Sequence, residues 1–189
     1  MSRHAPTPII AVSNTGPLLS AFQCNRVDLL SRYFARIYVP QSEVEEFERH
    51  GVGAQLRELI EDGLVVVEHL SAAEAASAEQ IAQCIAACPC SRMREYRHHI
   101  PEAEAMVLAQ RETLQVSRIL LEERAARQVA QQLGLPLTGF VGVLLLACDE
   151  GLLAPAEMRT LLETCRQQGT RYSDELIDGV CQQCKELRQ

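Results

Sequence analysis

Ile9-Ile10-Ala11-Val12-Ser13-Asn14-Thr15-Gly16-Pro17-Leu18-Leu19 is the stretch on which the fold turns. An apolar run stops on a polar residue and a Gly-Pro turn signal, as a buried strand does when it passes into a helix. Pro17 suits a first helical position, and Leu18, Leu19 and Phe22 continue as one apolar face.

The same alternation returns along the chain. Val27-Asp28-Leu29-Leu30 with Tyr33-Phe34 predicts a short helix, and Arg36-Ile37-Tyr38-Val39 a second strand ended by Pro40. A helix over 41–47 follows, with Val44 and Phe47 inward and three carboxylates around it; Gly51 and Gly53 interrupt it. Leu64-Val65-Val66-Val67-Glu68 is a third strand. Pro101 to Ala109 opens another helix, Val116 to Leu121 a fourth strand ending on Glu122-Glu123, and Ala125, Val129 and Leu133 mark a helix stopped by Gly134. Leu135 to Gly139 is a last short strand before the apolar helix Val141 to Cys148, and two or three helices fill 154–189. Strands alternating with helices predict an α/β domain with a parallel sheet covered on both faces. Residues from about 71 to 99 differ: Ser71-Ala72-Ala73-Glu74 is a capping box, an Ala-rich helix follows, and a Cys- and Arg-bearing stretch ends at Ile100-Pro101. This segment is read as an insertion or arm on a single domain spanning 1–189.

Composition narrows the function. The 189 residues suit one domain, and 47% hydrophobic with 23% charged residues is a globular balance rather than a disordered one. Net charge −7 argues against a protein that coats nucleic acid through a basic surface, although a bound metal can supply the charge that phosphate needs. No Trp and 4% aromatics leave few stacking platforms and an aliphatic core. The longest apolar run, Phe140 to Cys148, falls far short of the roughly 20 residues that span a bilayer. The first residues lack the apolar core of a signal peptide, so a cytoplasmic protein with reduced thiols and no membrane partner is expected.

In an open parallel sheet, function gathers beyond the carboxyl ends of the strands. Asn14 follows the first strand and Glu122-Glu123 the fourth; Glu45-Glu46 lie soon after the second, and Glu102 and Glu104 open the helix before the fourth. Oxygen donors converging from such positions suit a hard cation, Mg²⁺ or Mn²⁺. Carboxylates in the first turn of a helix are also favoured by the macrodipole alone, worth about 0.3–1 kcal/mol each.

Taken in order, these residues resemble the PIN-like nuclease superfamily. The resemblance is carried by Val12-Ser13-Asn14-Thr15-Gly16-Pro17-Leu18-Leu19, Val39-Pro40 with Glu45-Glu46, Pro101-Glu102-Ala103-Glu104-Ala105, and Leu120-Leu121-Glu122-Glu123-Arg124-Ala125-Ala126-Arg127. Gly134 to Leu144, Gly151-Leu152-Leu153 and Gly169 to Leu176 continue it, and only the segment around 70–99 falls outside. The closest likeness is to a prokaryotic branch related to toxin–antitoxin ribonucleases. It implies a three-layer α/β/α domain, metal-dependent cleavage of RNA, and a role as the toxin neutralised by a small antitoxin protein. The acidic quartet would fall on Asn14, Glu45, Glu102 or Glu104, and Glu122, holding Mg²⁺ or Mn²⁺. Asn14 departs from it by bringing no charge, which keeps open an alternative: a catalytically silent module that binds RNA or a protein.

Other features carry weaker signals. Ser13, Thr15 and Thr138 are candidates to hydrogen-bond the metal ligands. Arg92, Arg94 and Arg97 form the one basic run that would contact RNA phosphates; a solvated helix face is its bland explanation. Cys181-x-x-Cys184 and the group Cys84, Cys88 and Cys90 with His98-His99 lack the regular spacing of a zinc site, so free, mostly buried thiols are expected. No nucleophile elbow, P-loop or Rossmann glycine pattern is present. Apolar helix faces on the Ala-rich segment and the C-terminal helices predict a two-fold homodimer, also implied by the resemblance, with the arm near its interface.

Overall fold

Five strands, β1 (Ile9–Ser13), β2 (Phe34–Pro40), β3 (Val65–Glu68), β4 (Arg118–Leu120) and β5 (Leu137–Thr138), run parallel in the order β3-β2-β1-β4-β5. The computed structural model describes residues 9–187. Neighbouring residues of each strand enter opposite layers. Ala11, Ile37, Val39 and Leu120 lie in one apolar cluster; Val12, Tyr38, Ile119 and Leu121 lie in the other. This two-residue period, with both faces buried, is why the strands read as unbroken apolar runs.

The first cluster packs against α1 (Thr15–Gln23), α2 (Val27–Tyr33), α3 (Val44–Arg49) and α4 (Gly53–Glu61), joined by α8 (Phe140–Asp149), α9 (Pro155–Gln167) and α10 (Asp174–Leu187). The second packs against α5 (Ala72–Ala87), α6 (Ile100–Ala109) and α7 (Arg124–Gln132). The chain thus forms a three-layer α/β/α domain. From β1 it moves through β2 to the edge at β3, then crosses by α5 and α6 to β4 on the far side of β1. Helices on opposite faces for the two directions of travel are what right-handed crossovers require. Travel reverses between β1 and β4, so their carboxyl ends flank the crevice where parallel sheets place ligands.

Several local readings change. Gly53 begins a helix, α4, that the sequence had shown only as an interruption; Gly51, at φ +73°, is the true stop. The helix expected over 41–47 starts as a 3₁₀ turn, Gln41–Glu43, before α3. The segment read as an insertion or arm, 71–99, lies against the sheet: α5 buries Ala78, Ala82 and Ile85 beside Val12 and α6. Its capping box is formed, Glu74 N donating to Ser71 Oγ at 3.3 Å and Ser71 N to Glu74 Oε2 at 2.8 Å. Arg111 then ties Glu74 (2.9 Å) to Glu68 (2.7 Å) at the end of β3, and this pairing holds the Glu74 carboxyl at about 2. Residues 88–99 fold back on α5 through Arg94, which donates to Ala86 O and Cys88 O, and through buried His99, which meets Ser91 Oγ and Met93 O.

The cysteines also depart from the expectation of free thiols throughout. Cys148 on α8 and Cys184 on α10, both fully buried with Cα atoms 5.8 Å apart, are paired as a disulfide. The Cys181-x-x-Cys184 spacing is therefore the inward face of α10, not half of a zinc knuckle. Among the described residues no helix is long and apolar enough to cross a membrane.

Candidate functional site

Asn14 stands at the N-cap of α1, where an asparagine ordinarily accepts a bond from the helix's own N–H groups. Its side chain makes no such bond. Its Nδ2 instead donates to Glu102 Oε1 at 3.4 Å, and its buried Oδ1 has no partner. The capping task passes to another chain segment. Glu43, in the 3₁₀ turn after β2, accepts from Thr15 N at 2.8 Å and from Thr15 Oγ1 through the same Oε2. Its other oxygen is buried and unpartnered.

Glu43 is completely buried. Burial pushes its carboxyl up to about 8, Thr15 pulling it back and the charges of Glu46 and Glu102 adding to the rise. Glu46, one turn further, accepts from Thr15 Oγ1 at 3.2 Å. Glu102, in the first turn of α6, is pushed by burial up to about 7, against the pull of its own backbone N–H and with help from Glu123 and Glu46; its Oε2 is also buried and unpartnered. Buried polar atoms normally find partners. Here three acceptor oxygens, on Asn14, Glu43 and Glu102, lack one, and the two carboxylates among them repel each other.

Glu122 follows β4 on the other side of the crevice. Tyr172 OH donates to its Oε1 at 2.7 Å and Ser20 Oγ to its Oε2 at 3.2 Å, Tyr172 also reaching Ser20 at 3.1 Å. Burial raises its carboxyl and these hydroxyls oppose the rise. Gly16 lies between the two halves: a Cβ there would come 3.6 Å from Glu122 Oε2 and 3.9 Å from Asn14 Oδ1, so both oxygens overlook the same backbone. Arg127 braces this end, its Nη1 donating to Leu121 O at 2.7 Å and Thr138 O at 2.9 Å, the carbonyls at the ends of β4 and β5. Glu123 caps α7, accepting from Ala126 N at 2.6 Å.

The donors are all oxygen, the chemistry of a hard cation, and their orphaned atoms and mutual repulsion are what such an ion relieves. The side chains as placed are not already gathered around one point: among the described residues no group of three His, Cys, Asp or Glu is arranged to hold a metal. The site is an acidic crevice with unspent oxygens.

A family model described as a PIN domain, DUF3368, matches residues 10–186. The chain belongs to this PIN-domain family. No curated protein and no solved structure matches it. Within the PIN domain, the candidate residues divide. Asn14, Glu102 and Glu122 lie around the crevice. Glu104 lies elsewhere on α6, bonded by Ser42 Oγ. Glu45 is exposed, and Glu43 and Glu46 stand at the crevice in its stead. Glu43 had a signal: it lies four residues before buried Phe47, hence on the same helical face, whereas Glu45 lies two before it. Ser20 and Tyr172 were not foreseen as partners of Glu122, and nothing local announces them.

The basic run divides as well. Arg97 is exposed and pairs with Glu95 at 3.7 Å, and Arg94 is spent on backbone carbonyls. Arg92 lines the cavity beside Glu122. Cys88 and Cys90 contact each other and Gln128, while Cys84 is exposed.

Proposed function

We propose that this PIN domain is a metal-dependent ribonuclease whose Mg²⁺ or Mn²⁺ is held by Glu43, Glu102 and Asn14, with Glu46 and Glu122 completing the donor set. The observation that carries the reading is the trio of buried, unpartnered oxygens on Asn14, Glu43 and Glu102 at the reversal point of the sheet. When bound, such a cation neutralises phosphate charge and lowers the pKa of its water. The chain's own residues prepare for it. Thr15 orients Glu43 through two bonds to one oxygen, leaving the other free. Asn14 fixes Glu102 from one side. Tyr172 and Ser20 hold Glu122 facing the crevice, and its remaining lone pairs are open to a cation or to water.

The test is cleavage of end-labelled RNA by the purified chain with Mn²⁺, with Mg²⁺ and with EDTA. Cleavage that needs the cation and is lost in Glu102→Gln supports the reading; cleavage in EDTA, or none with either ion, removes it. One observation favours a second reading, a silent module that binds RNA or a protein partner: Asn14 brings no charge where the family resemblance calls for an acid. RNA binding with no cleavage would select it. The toxin role belongs to the same proposal. Induced expression that leaves growth unchanged, with and without a neighbouring small protein, would remove that role. A homodimer is proposed on the exposed Leu146, Leu152 and Leu176 of the C-terminal half, and a monomer by light scattering would dismiss it.

A further inference from the structure

A cavity of about 640 Å³ opens beside Glu122 and Glu123, a size that suits a small organic ligand. Its cations come from three places: Arg92 before α6, Arg124 and Arg127 on α7, and Arg171 in the loop before α10. Most arginines elsewhere are consumed, whereas Arg36, Arg49 and Arg118 stand singly on the surface, exposed and without an ion pair among the described residues. Arg26, Arg32, Arg57, Arg111, Arg159 and Arg166 each pair with a carboxylate. Arg92, Arg124 and Arg171 make no ion pair among the described residues and are exposed, and Arg127 spends one nitrogen on two carbonyls. Guanidinium groups gathered in one cavity repel one another, and of the four only Arg127 is tied into the fold. On a molecule of net charge −7 they mark a place for an anion.

The rest of the lining restricts the anion. Leu137, Val141, Leu145 and Leu176 give the cavity an apolar wall. A bare phosphate would use the arginines and leave that wall wet. A ligand with a charged phosphate and a flat, weakly polar ring uses both, and guanidinium planes stack on such rings as well as bonding phosphate. The carboxylates of Glu122 and Glu123 exclude an anion from their own end of the cavity, so the phosphate belongs on the arginine side.

We propose that this cavity is a nucleotide subsite, taking a base against the Leu137, Val141 and Leu145 wall and its phosphate on Arg124, Arg127 and Arg171. That the nucleotide is the neighbour of the scissile phosphate rests on the nuclease reading above; that a nucleotide binds does not. The ¹⁵N-labelled full chain in EDTA is titrated with 5′-UMP, 5′-AMP and inorganic phosphate. Saturable shifts at the amides of Gly139, Gly142 and Tyr172 are expected with the nucleotides, with affinity falling about tenfold in Arg124→Ala and in Arg171→Ala. Arg36→Ala, at an exposed arginine on β2 outside the cavity and without an ion pair among the described residues, serves as control and leaves the affinity unchanged. No shift at about 10 mM nucleotide, phosphate binding as tightly as UMP, or equal binding by all variants overturns the proposal. Nucleotide binding by a chain that cleaves no RNA would sink the nuclease reading and leave the subsite standing. Metal-dependent cleavage unaffected in Arg124→Ala and Arg171→Ala, without nucleotide shifts, would do the reverse.

Discussion

Glu43→Gln tests the electrostatics of the crevice without removing its hydrogen bonds. Glu43 is completely buried, accepts from Thr15 N at 2.8 Å, faces the charges of Glu46 and Glu102, and has its carboxyl pushed up from 4.5 to about 8. Glutamine keeps an oxygen for Thr15 and offers an amide to the neighbouring carboxylates. The folded chain holds the Glu43 proton where the unfolded chain has lost it, so wild-type stability falls as pH rises from about 4.5 to about 8. At about 1.4 kcal/mol per pH unit the upper bound on that loss is about 5 kcal/mol, and water entering the crevice reduces it. In urea unfolding with EDTA, the two proteins are expected to be within about 1 kcal/mol of each other at pH 5, where Glu43 is protonated and resembles the amide. At pH 8.5 the variant is expected to be the more stable by about 2 kcal/mol or more, the desolvation cost having vanished. Adding Mn²⁺ at pH 7.5 should then stabilise wild type and leave the variant nearly unmoved, since a cation stabilises only the folded state that binds it. A variant less stable than wild type at pH 8.5, or a difference independent of pH, would refute the reasoning.

The other predictions touch separate parts of the site and fold. Asn14→Asp adds a charge beside Glu102, so the metal-free protein should lose about 1–3 kcal/mol in urea unfolding while Mn²⁺ affinity by calorimetry rises; equal or weaker binding would mean position 14 is not a ligand. Tyr172→Phe strips the 2.7 Å bond from Glu122 and the bond to Ser20, costing about 1–3 kcal/mol by thermal melting, and a variant as stable as wild type would show the contact to be idle. Cys148→Ser opens a link between positions 36 residues apart, expected to cost about 3–4 kcal/mol under oxidising conditions and much less against wild type refolded in reductant. The same loss in both conditions would mean the sulfurs act by packing alone.

Much of the fold was legible because a strand buried on both faces must be apolar throughout, and Ile9 to Ser13 and Leu64 to Glu68 end on polar residues where the layers end. Glycine misled at α4: Gly53 opens the helix, where a Cβ would run into the Glu48 carboxylate, while Gly51 ends the one before. The segment 71–99 read as an insertion or arm because its Ala-rich helix has little amphipathic contrast, and the small residues that lower that contrast are what let α5 lie close against α6. The site was legible in outline. Strand ends pointed to Asn14 and Glu122, but on the helix after β2 the resemblance singled out Glu45, where helical phase relative to Phe47 would have pointed to Glu43. Phase has no such power on α6, where Ala103, Ala105, Met106, Val107 and Leu108 are all buried, so Glu102 and Glu104 could be told apart only once Asn14 and Ser42 were seen beside them. The Tyr172 and Ser20 bonds to Glu122 span 50 and 102 residues and exist only in the folded chain.

The neutral residue at position 14 has a physical logic in this crevice. Glu43 and Glu102 already share it, both with raised carboxyls, and Glu46 and Glu123 add to the repulsion. A carboxylate at position 14 would lie within hydrogen-bond reach of Glu102 and present it with another charge, in place of the amide that now donates to it. Asparagine supplies the same oxygen to a cation and turns its other end into a donor, trading some attraction for the ion against a crevice that folds without it. The trade also sets the conditions under which the site would work. With Glu43 protonated and Glu102 partly protonated near neutral pH, cation binding must release protons and so strengthen as pH rises from about 6 to about 9. Proton release per bound Mn²⁺, measured by calorimetry in buffers of different ionisation enthalpy, should therefore exceed one near pH 6.5 and fall toward zero above pH 9. Release of no protons at pH 6.5 would mean that neither carboxylate ligates the ion, and the donor set assigned here would have to be abandoned.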